Sequence, residues 1–437
     1  LNSPIKSSEA LAISSTLRIF ENREVGGIHY TFREAESVDA AGISDLFERA
    51  YGGKYLFSDT SAASINNEIS APNKFIWLIT TIKGDPTPLG CLLAKIDPEN
   101  KIAKISNVVM LPGDAHRAAR RESRHQSLGL PDAVGMQKAE RRSLGSIMLE
   151  LVLEYMTNKN PIVDVVYATT RTLNAAPARL GRSVGFRHAG FFPNAVWIEG
   201  FEHLNLEVFI TTRALRARRK CDHIFSALES IYSLAAQTFA LETPKFTGKN
   251  TSINDSNLMH TFRLNQDQAE VSRRYQFCLE QGFLRIQFTP FLYPNCVLAC
   301  NDGEVFVNYN ASNKQAVIVD YWCSQGDTGP ILKAAGHTLN ELGAAYIEML
   351  ISARDYLQQK QAFAARYLPC AYLPAVHLAK DGFRDDYFVF SRTCQPLDFE
   401  RCVISNENTA FLRAYLKLHQ EHPIPFDGAS TIELVRS

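Results

Sequence analysis

The stretch "IVDVVYATT", Ile162 to Thr170, sets the tightest limit on how this chain can fold. Its β-branched residues run almost without interruption instead of alternating with polar ones, the pattern of a strand buried on both faces. Such a strand needs a layer on each side, and the sequence supplies helices immediately before and after it. From Ser143 onward, Leu144, Ile147, Met148, Leu151, Val152 and Tyr155 recur three and four apart, which predicts a helix with a broad apolar face. After the strand, "NAAPARLGRSVGF" predicts a second helix closed by Gly185. The strand "ISNVVML" precedes this unit, and "HAGFFPNAV" and "HLNLEVFITT" close it.

Upstream, "GGIHYTFREAES" predicts a strand from Ile28 to Arg33. A helix follows, with Ile43, Leu46, Phe47 and Ala50 on one face and Gly52–Gly53 as its stop. "KFIWLITTI", "LGCLLAKI" and "KIAKISNVVML" then predict a meander with Asp-Pro turns between the strands. The segment between Pro112 and Lys138 is rich in Arg, His, Gly and Pro and lacks a period, so a long surface insertion is expected there.

At 437 residues the chain exceeds the usual size of one core, so two domains are expected. "RALRARRKCDHIFSALESIYSLAAQTFALE" has helical character, and "TPKFTGKNTSINDSNL" is linker-like. Beyond them the order recurs: a helix at "DQAEVSRRYQFCLEQG", strands at "FLRIQF", "NCVLAC", "EVFVNYN" and "AVIVDYWC", a helix at "GPILKAAGHTLNELG", a strand, a helix and two final strands. "FFPNAVWIEGFEHLNLEVFITTR" and "AYLPAVHLAKDGFRDDYFVFSRT" share an aromatic approach to a proline, a nearby Ala-Val, and a last aromatic strand ending in Arg213 or Arg392. This echo points to duplication of one unit. The expected divisions are an N-terminal extension 1–27, a first domain 28–213, a helix and linker 214–258, a second domain 259–393 and a C-terminal extension 394–437.

Lysine plus arginine equals aspartate plus glutamate at 46 each, so no global field draws the chain to nucleic acid or an anionic membrane. No apolar run is long enough to span a bilayer. The nine cysteines are scattered without CxxC pairs or zinc-site spacing, which predicts a reducing cytoplasm and no metal. An apolar content of 46% is ample for sizeable cores.

The stretch "AERRSLGSIMLEL", Ala139 to Leu151, places two arginines and small residues at a helix start, where unpaired N–H groups and partial positive charge can receive a phosphate. With the strand before it, the strand and helix after it and the terminal Gly185–Phe186, the order resembles the GNAT superfamily of N-acetyltransferases. The resemblance covers roughly residues 28–213 and extends more weakly to 260–393 as a degenerate second copy. It implies an α/β chain of the α+β type, in two units, each a mixed, mainly antiparallel sheet flanked by helices. It also implies acetyl-coenzyme A or another acyl-coenzyme A as co-substrate. Arg141, Arg142, Ser143, Leu144, Gly145 and Ser146 would then hold the pyrophosphate, with Val109, Leu111 and Asn174 completing the cofactor site. "AYGGKYLF" looks like a family element that lines the acceptor site and nominates Tyr51 and Tyr55.

The sequence departs from the family pattern at four positions. Glu140 and Ser143 stand in the turn for Arg/Gln and glycine, Asn107 stands where a carboxylate often sits, and Gly181 stands where the general-acid tyrosine aligns. Tyr167, His203 and Glu207 are nominated as catalytic by residue type alone. The reading that follows is transfer of an acyl group to a small-molecule or protein amine. The alternatives are a catalytically weakened acyl-coenzyme A binding or scaffold protein, and a module that recognises acidic partners through Arg117, Arg120, Arg121 and Arg124 in the basic segment 114–142. Homo-oligomerisation is left open.

Overall fold

The computed structural model describes residues 18–53, 55, 58–71, 73–111, 143–248, 260–403 and 406–423. The first strand, β1 (Ile19–Val25), turns at Gly26–Gly27 into β2 (Ile28–Glu34). Both turn glycines have positive φ, which a side chain would oppose. Helices α1 (Ala40–Tyr51) and α2 (Ala62–Ile69) follow, then the meander β3 (Phe75–Ile82), β4 (Asp85–Asp97) and β5 (Ile102–Met110). Next come helix α3 (Leu144–Glu154), strand β6 (Val165–Arg171), helix α4 (Ala176–Ser183) and the hairpin β7 (Arg187–Trp197) with β8 (Phe201–Ile210).

The connecting segment holds α5 (Thr212–Ala217), β9 (His223–Phe225), α6 (Glu229–Phe239) and β10 (Lys245–Thr247). The second half runs β11 (Arg263–Asn265), α7 (Gln268–Glu280), β12 (Cys296–Cys300), β13 (Gly303–Asn310), β14 (Gln315–Cys323), α8 (Gly329–Glu341), β15 (Tyr346–Ser352), α9 (Tyr356–Ala364), β16 (Leu368–Leu378) and β17 (Arg384–Thr393). Helix α10 (Asn406–Glu421) comes last.

The strands form one sheet in the order β1-β2-β3-β4-β5-β6-β8-β7-β16-β17-β15-β14-β13-β12-β11. Read from the β7–β16 junction outward, the two arms run through strands in the same order, with edge strand β1 as an addition to the first arm. Each arm is antiparallel except for one parallel pair, β5 with β6 and β14 with β15. The fold class expected from the sequence is therefore present: a mixed, mainly antiparallel sheet flanked by helices.

The sequence echo has a structural counterpart. Asn194 and Ala375, each following the proline of its repeat, both have positive φ and sit at matching register shifts in β7 and β16. At the junction, Gly190 faces Ala371, and a Cβ on Gly190 would lie 2.0 Å from the Cβ of Ala371. Only a residue without a side chain lets the strands approach that closely.

Several elements differ from the sequence expectation. The 1–27 segment contributes edge strand β1, whose alternation is blurred by charges on both faces. Helix α2 is short and buries Ile65, too little periodicity to read. "FLRIQF" is irregular instead of a strand: the N–H groups of Arg285, Ile286 and Gln287 donate to the buried carboxylate of Asp320, an acceptor arrangement that replaces a ladder. The 214–258 segment is not only helix and linker, because β9 and β10 pair in parallel within it.

Helices α6 and α10, from the segments read as linker and C-terminal extension, both pack on β7 and β16. The main core consequently mixes Phe191 and Leu206 of the first half with Tyr232, Phe388 and Tyr415 from beyond it. Buried Arg384 joins the halves by donating to Asp164 at 2.7 Å and to the carbonyl of Ala375 at 3.0 Å. All nine cysteines are free thiols. Among the described residues no helix is long and apolar enough to cross a membrane, and no cluster of metal-ligating side chains occurs.

Candidate active site

The parallel pairing of β5 with β6 runs from Ile102–Val165 to Ile105–Ala168. Past that point β5 bulges, since two residues, Asn107 and Val108, oppose Leu92 alone. Asn107 takes φ +54°, a left-handed conformation that asparagine tolerates better than most residues. The far ends of the two strands separate, while β6 stays paired with β8 as far as Arg171. A wedge therefore opens between Asn107–Leu111 on one side and Thr169–Arg171 on the other.

Strand parity decides which backbone groups line the wedge. The Leu111 N–H donates to the carbonyl of Leu89, and Val109 pairs with Cys91 in the same phase. Both residues are buried, with their N–H groups toward β4. Sequence reading nominated Val109 and Leu111, but alternation directs the N–H of Met110 toward the wedge.

Helix α3 starts beside the wedge. Ser143 caps it, its Oγ accepting from the Ser146 N–H at 3.2 Å and lying 2.9 Å from the Ser146 Oγ. The Ser183 hydroxyl on α4 reaches Ser146 at 3.4 Å. The N–H groups of Leu144 and Gly145 precede the first intrahelical bond, the one from Ser146 back to Ser143. Gly145 is in van der Waals range of Leu180 and Met110, because a Cβ there would meet them at 3.6 and 3.9 Å. A Cβ at this position would point to the core side of the helix in ordinary van der Waals contact, while the N–H faces the helix mouth.

Between α3 and α4 lies a cavity of about 320 Å³, lined by Ser143, Ser146, Ser183 and Leu180 with Glu150 and Arg179 as its charged members. Sequence reading missed Arg179, which lies one helical turn past the start of α4, on a face that only tertiary packing turns toward α3. Asn174 has a local role: its Oδ1 accepts from the Ala176 N–H at 2.9 Å and shapes the start of α4. Gly181 packs against Phe186, where a Cβ would lie 3.3 Å from the Phe186 Cβ, so a tyrosine cannot enter without displacing that ring. Arg141 and Arg142, and the basic 114–142 segment, lie outside the described residues.

Tyr51 and Tyr55, nominated from the sequence, pack against each other in a tilted pair with ring centroids 4.9 Å apart. The Tyr55 hydroxyl donates to Asn107 Oδ1 at 2.9 Å, and the Asn107 amide donates to the Ser58 hydroxyl at 3.0 Å. Burial raises the pKa of both tyrosines, keeping them protonated. At the end of β6, Arg171 donates through Nε and Nη2 to Glu202 at 2.6 Å each. Its charge is felt at both tyrosines. Neither Arg171 nor Glu202 was found in the sequence, since one ends an apolar strand and the other begins the next hairpin strand.

The three residues nominated as catalytic by type are not brought together. Tyr167 lies at the paired end of β6, with Lys104 Nζ 6.0 Å from its ring centre and Phe291 at 6.1 Å. His203 is held on both nitrogens: Nδ1 accepts from the Asn194 N–H at 2.9 Å, and Nε2 lies 2.7 Å from the carbonyl oxygen of Asp398. Since a carbonyl only accepts, Nε2 carries the proton. Phe399 stacks on the ring at 4.5 Å, and burial pushes the imidazole pKa down to about 4. Glu207 is buried 3.4 Å from His188 Nδ1, and the His188 ring packs on Phe411 of α10. His203 and Glu207 therefore belong to the seam between the halves.

The second half repeats the frame but fills it. Beyond the paired stretch of β14 and β15, Val319 is the extra residue of a bulge, and Asp320 next to it binds the 285–287 backbone. At the start of α8 the Gly329 N–H donates to its own neighbour Asp327 at 2.9 Å, placing a carboxylate where an anion would otherwise sit.

No protein-family model matches the sequence, and no curated protein matches it. Among solved structures, the chain is similar to an acetyltransferase of the GNAT family from Streptococcus pneumoniae, at 18% identity and a TM-score of 0.31, covering 41% of this chain and 98% of that one. It is similar to RimL, a ribosomal L7/L12 alpha-N-protein acetyltransferase in complex with coenzyme A, at 15% identity and a TM-score of 0.31, over 44% of this chain and 98% of that one. Spermidine N-acetyltransferase from Vibrio cholerae, in complex with coenzyme A and spermine, is similar at 15% identity and a TM-score of 0.31, over 41% of this chain and 95% of that one. Likeness at this level carries no functional argument of its own, which rests on the site's geometry.

Proposed function

We propose that the first half is a GNAT-type N-acyltransferase that uses acetyl-coenzyme A or a related acyl-coenzyme A, and that the second half is a degenerate copy of the same unit. The observation that carries this reading is the junction of a splayed parallel strand pair with a cavity at a helix start. A thioester in the wedge would meet the N–H of Met110, a donor for the oxyanion that forms on its carbonyl oxygen. The pyrophosphate would lie toward the N–H groups of Leu144 and Gly145, and Arg179 would offer the cation that Glu140 does not.

The reaction is a simple displacement. The amine nitrogen forms a bond to the acyl carbon, the carbon–sulfur bond breaks, and the proton lost by the amine balances the departing thiolate. With Asn107 and Gly181 in the family's acid and base places, rate enhancement comes mainly from positioning and the oxyanion donor. The second reading, an acyl-coenzyme A binding protein with little turnover, draws on those two residues and on Glu150 in the cavity.

Calorimetric titration of acetyl-coenzyme A into wild type and Arg179→Glu, with thiol release in the presence of amines, separates the readings. The proposal expects binding that weakens about 10- to 100-fold in the variant, the range of a lost charge-assisted contact, together with amine-dependent thiol release. Binding without release for any amine favours the second reading. Absence of binding to wild type overturns both.

A further inference from the structure

We propose that the second half completes the acceptor site of the first: its connection from α7 to β12 holds Phe291 against Tyr167 as a wall for an apolar group of the amine. The inference rests on the acyltransferase reading above and names the substrate class of the same site, an amine that bears a hydrocarbon chain or ring.

Strand parity fixes the face from which the amine arrives. Met110 lies opposite Gly90, and its side chain comes to 3.9 Å from where a Cβ on Gly145 of α3 would stand, so α3 and its cavity occupy that face of β4 and β5. Lys95 projects from the other face, with its ammonium 3.9 Å from Glu68 of α2. Lys104 lies opposite Lys95, and Tyr167 beside Lys104, so both share the α2 face. Thr169 and Arg171 follow Tyr167 on it, and the Arg171 charge is felt at Tyr51 and Tyr55. A cofactor that enters at α3 leaves this face to the amine. Tyr51 and Tyr55 border it on one side and Phe291 on the other, with the Phe291 and Tyr167 ring centres 6.1 Å apart and both rings half-buried. Thr169, at the edge of the wedge, is two residues from Tyr167, about 7 Å along the strand, which sets the reach from the reacting nitrogen to the two rings.

The second half anchors Phe291 through its own wedge. Past the Ile318–Met349 pair β14 loses its partner β15, and the carbonyls of Val319 and Tyr321 accept from the Thr289 hydroxyl at 2.8 Å and the Arg285 N–H at 3.1 Å. Gln358 of α9 donates to the Arg285 carbonyl at 3.3 Å. Phe288 packs on His377 and Tyr387, with ring centres 4.9 and 4.8 Å away. Asn295 ties the far end, its amide donating to the Tyr309 carbonyl and its Oδ1 accepting from the Tyr309 N–H, both at 2.8 Å. Pro290 and Pro294 restrict the backbone between these ties. Within this frame Phe291 takes φ +66°, a left-handed conformation that opposes any Cβ. The fold therefore holds a bulky ring where its backbone favours glycine, and that strain places the ring beside the acceptor face. The same segment closes the second wedge to a second cofactor.

The test uses the full chain, acetyl-coenzyme A, and phenethylamine matched with ethylamine, which lacks the phenyl ring. Wild type is expected to favour phenethylamine in kcat/KM by about 10-fold or more, the range for burying a phenyl ring, and to bind one acetyl-coenzyme A per chain in calorimetry. Phe291→Ala should lower that preference about 5-fold or more, through KM for phenethylamine. Phe291→Leu keeps an apolar side chain of intermediate size should the alanine variant not fold, and its preference should fall between the other two. A merely structural ring would lower turnover of both amines alike, and a ratio that stays at the wild-type value in the folded variants overturns the proposal. Equal or reversed preference in wild type overturns it, as do two acetyl-coenzyme A molecules bound per chain. Wild type that binds acetyl-coenzyme A but acetylates neither amine also overturns it. Wild type that does not bind acetyl-coenzyme A removes the acyltransferase reading itself.

Discussion

Side chains in this protein take their roles from what surrounds them, and His203 is the clearest case. Residue type alone nominated it as catalytic, yet both its nitrogens are committed to backbone partners in the seam. Its neutral form is the one built into the fold, and its pKa is lowered to about 4 by burial. The unfolded chain therefore takes up a proton at this residue at higher pH than the folded one does. The contribution is complete above the ordinary histidine value near pH 6.5 and is lost as the pH falls from there through about 4, a change of roughly 3 kcal/mol. Denaturant melts across that window should flatten in His203→Gln; an unchanged slope would mean that other groups set the acid sensitivity. Arg179 shows the reverse situation. Exposed or half-exposed arginines are common, and nothing in a one-dimensional pattern distinguishes those that face a cavity.

At the scale of elements, β5 and α3 make the site together. Their existence was legible, since "ISNVVML" and the periodic run after Ser143 are strong patterns. The bulge was not legible, because it depends on how β5 registers against β4. Two variants separate its contributions. Asn107→Gly keeps the left-handed backbone but leaves the Tyr55 and Ser58 hydroxyls without their partner. Asn107→Ala adds the strain of a Cβ in that conformation. Thermal unfolding should find Ala less stable than Gly by about 1–2 kcal/mol, and both variants should lose amine-dependent thiol release.

Helix α3 carries another expectation. Gly145→Glu would push a carboxylate toward Leu180 and Met110, so its main effect should be loss of folded protein instead of selective loss of cofactor binding. Circular dichroism and gel filtration would detect that. A well-folded Gly145→Glu would mean that the helix start can shift away from α4.

For the whole molecule, the decisive contact is the junction of β7 and β16. Gly190→Val places a branched side chain where the partner strand already lies within 2.6 Å of the new Cβ. The expected cost is about 3 kcal/mol of stability, read as a lower midpoint in denaturant unfolding. Because α6, α10 and both arms share one core there, the halves should unfold in one transition, and separate transitions would contradict the shared core.

The sequence by itself determined the strands and helices with strong period and the mixed sheet class, because burial on one or both faces leaves a periodic trace in residue type. It also placed the helix start and the Tyr51–Tyr55 element that border the wedge. Tertiary structure alone decided that the two arms join through Gly190 and Ala371, that residues read as linker and extension cover that junction, that Arg171 pairs with Glu202, that Asn107 sits in the bulge of β5, and that Arg179 lines the cavity. Those facts depend on register and on contacts between residues far apart in the chain. Neither leaves a local pattern, since the same residue at a strand end or on a helix face serves equally well in water, in a core or at a site.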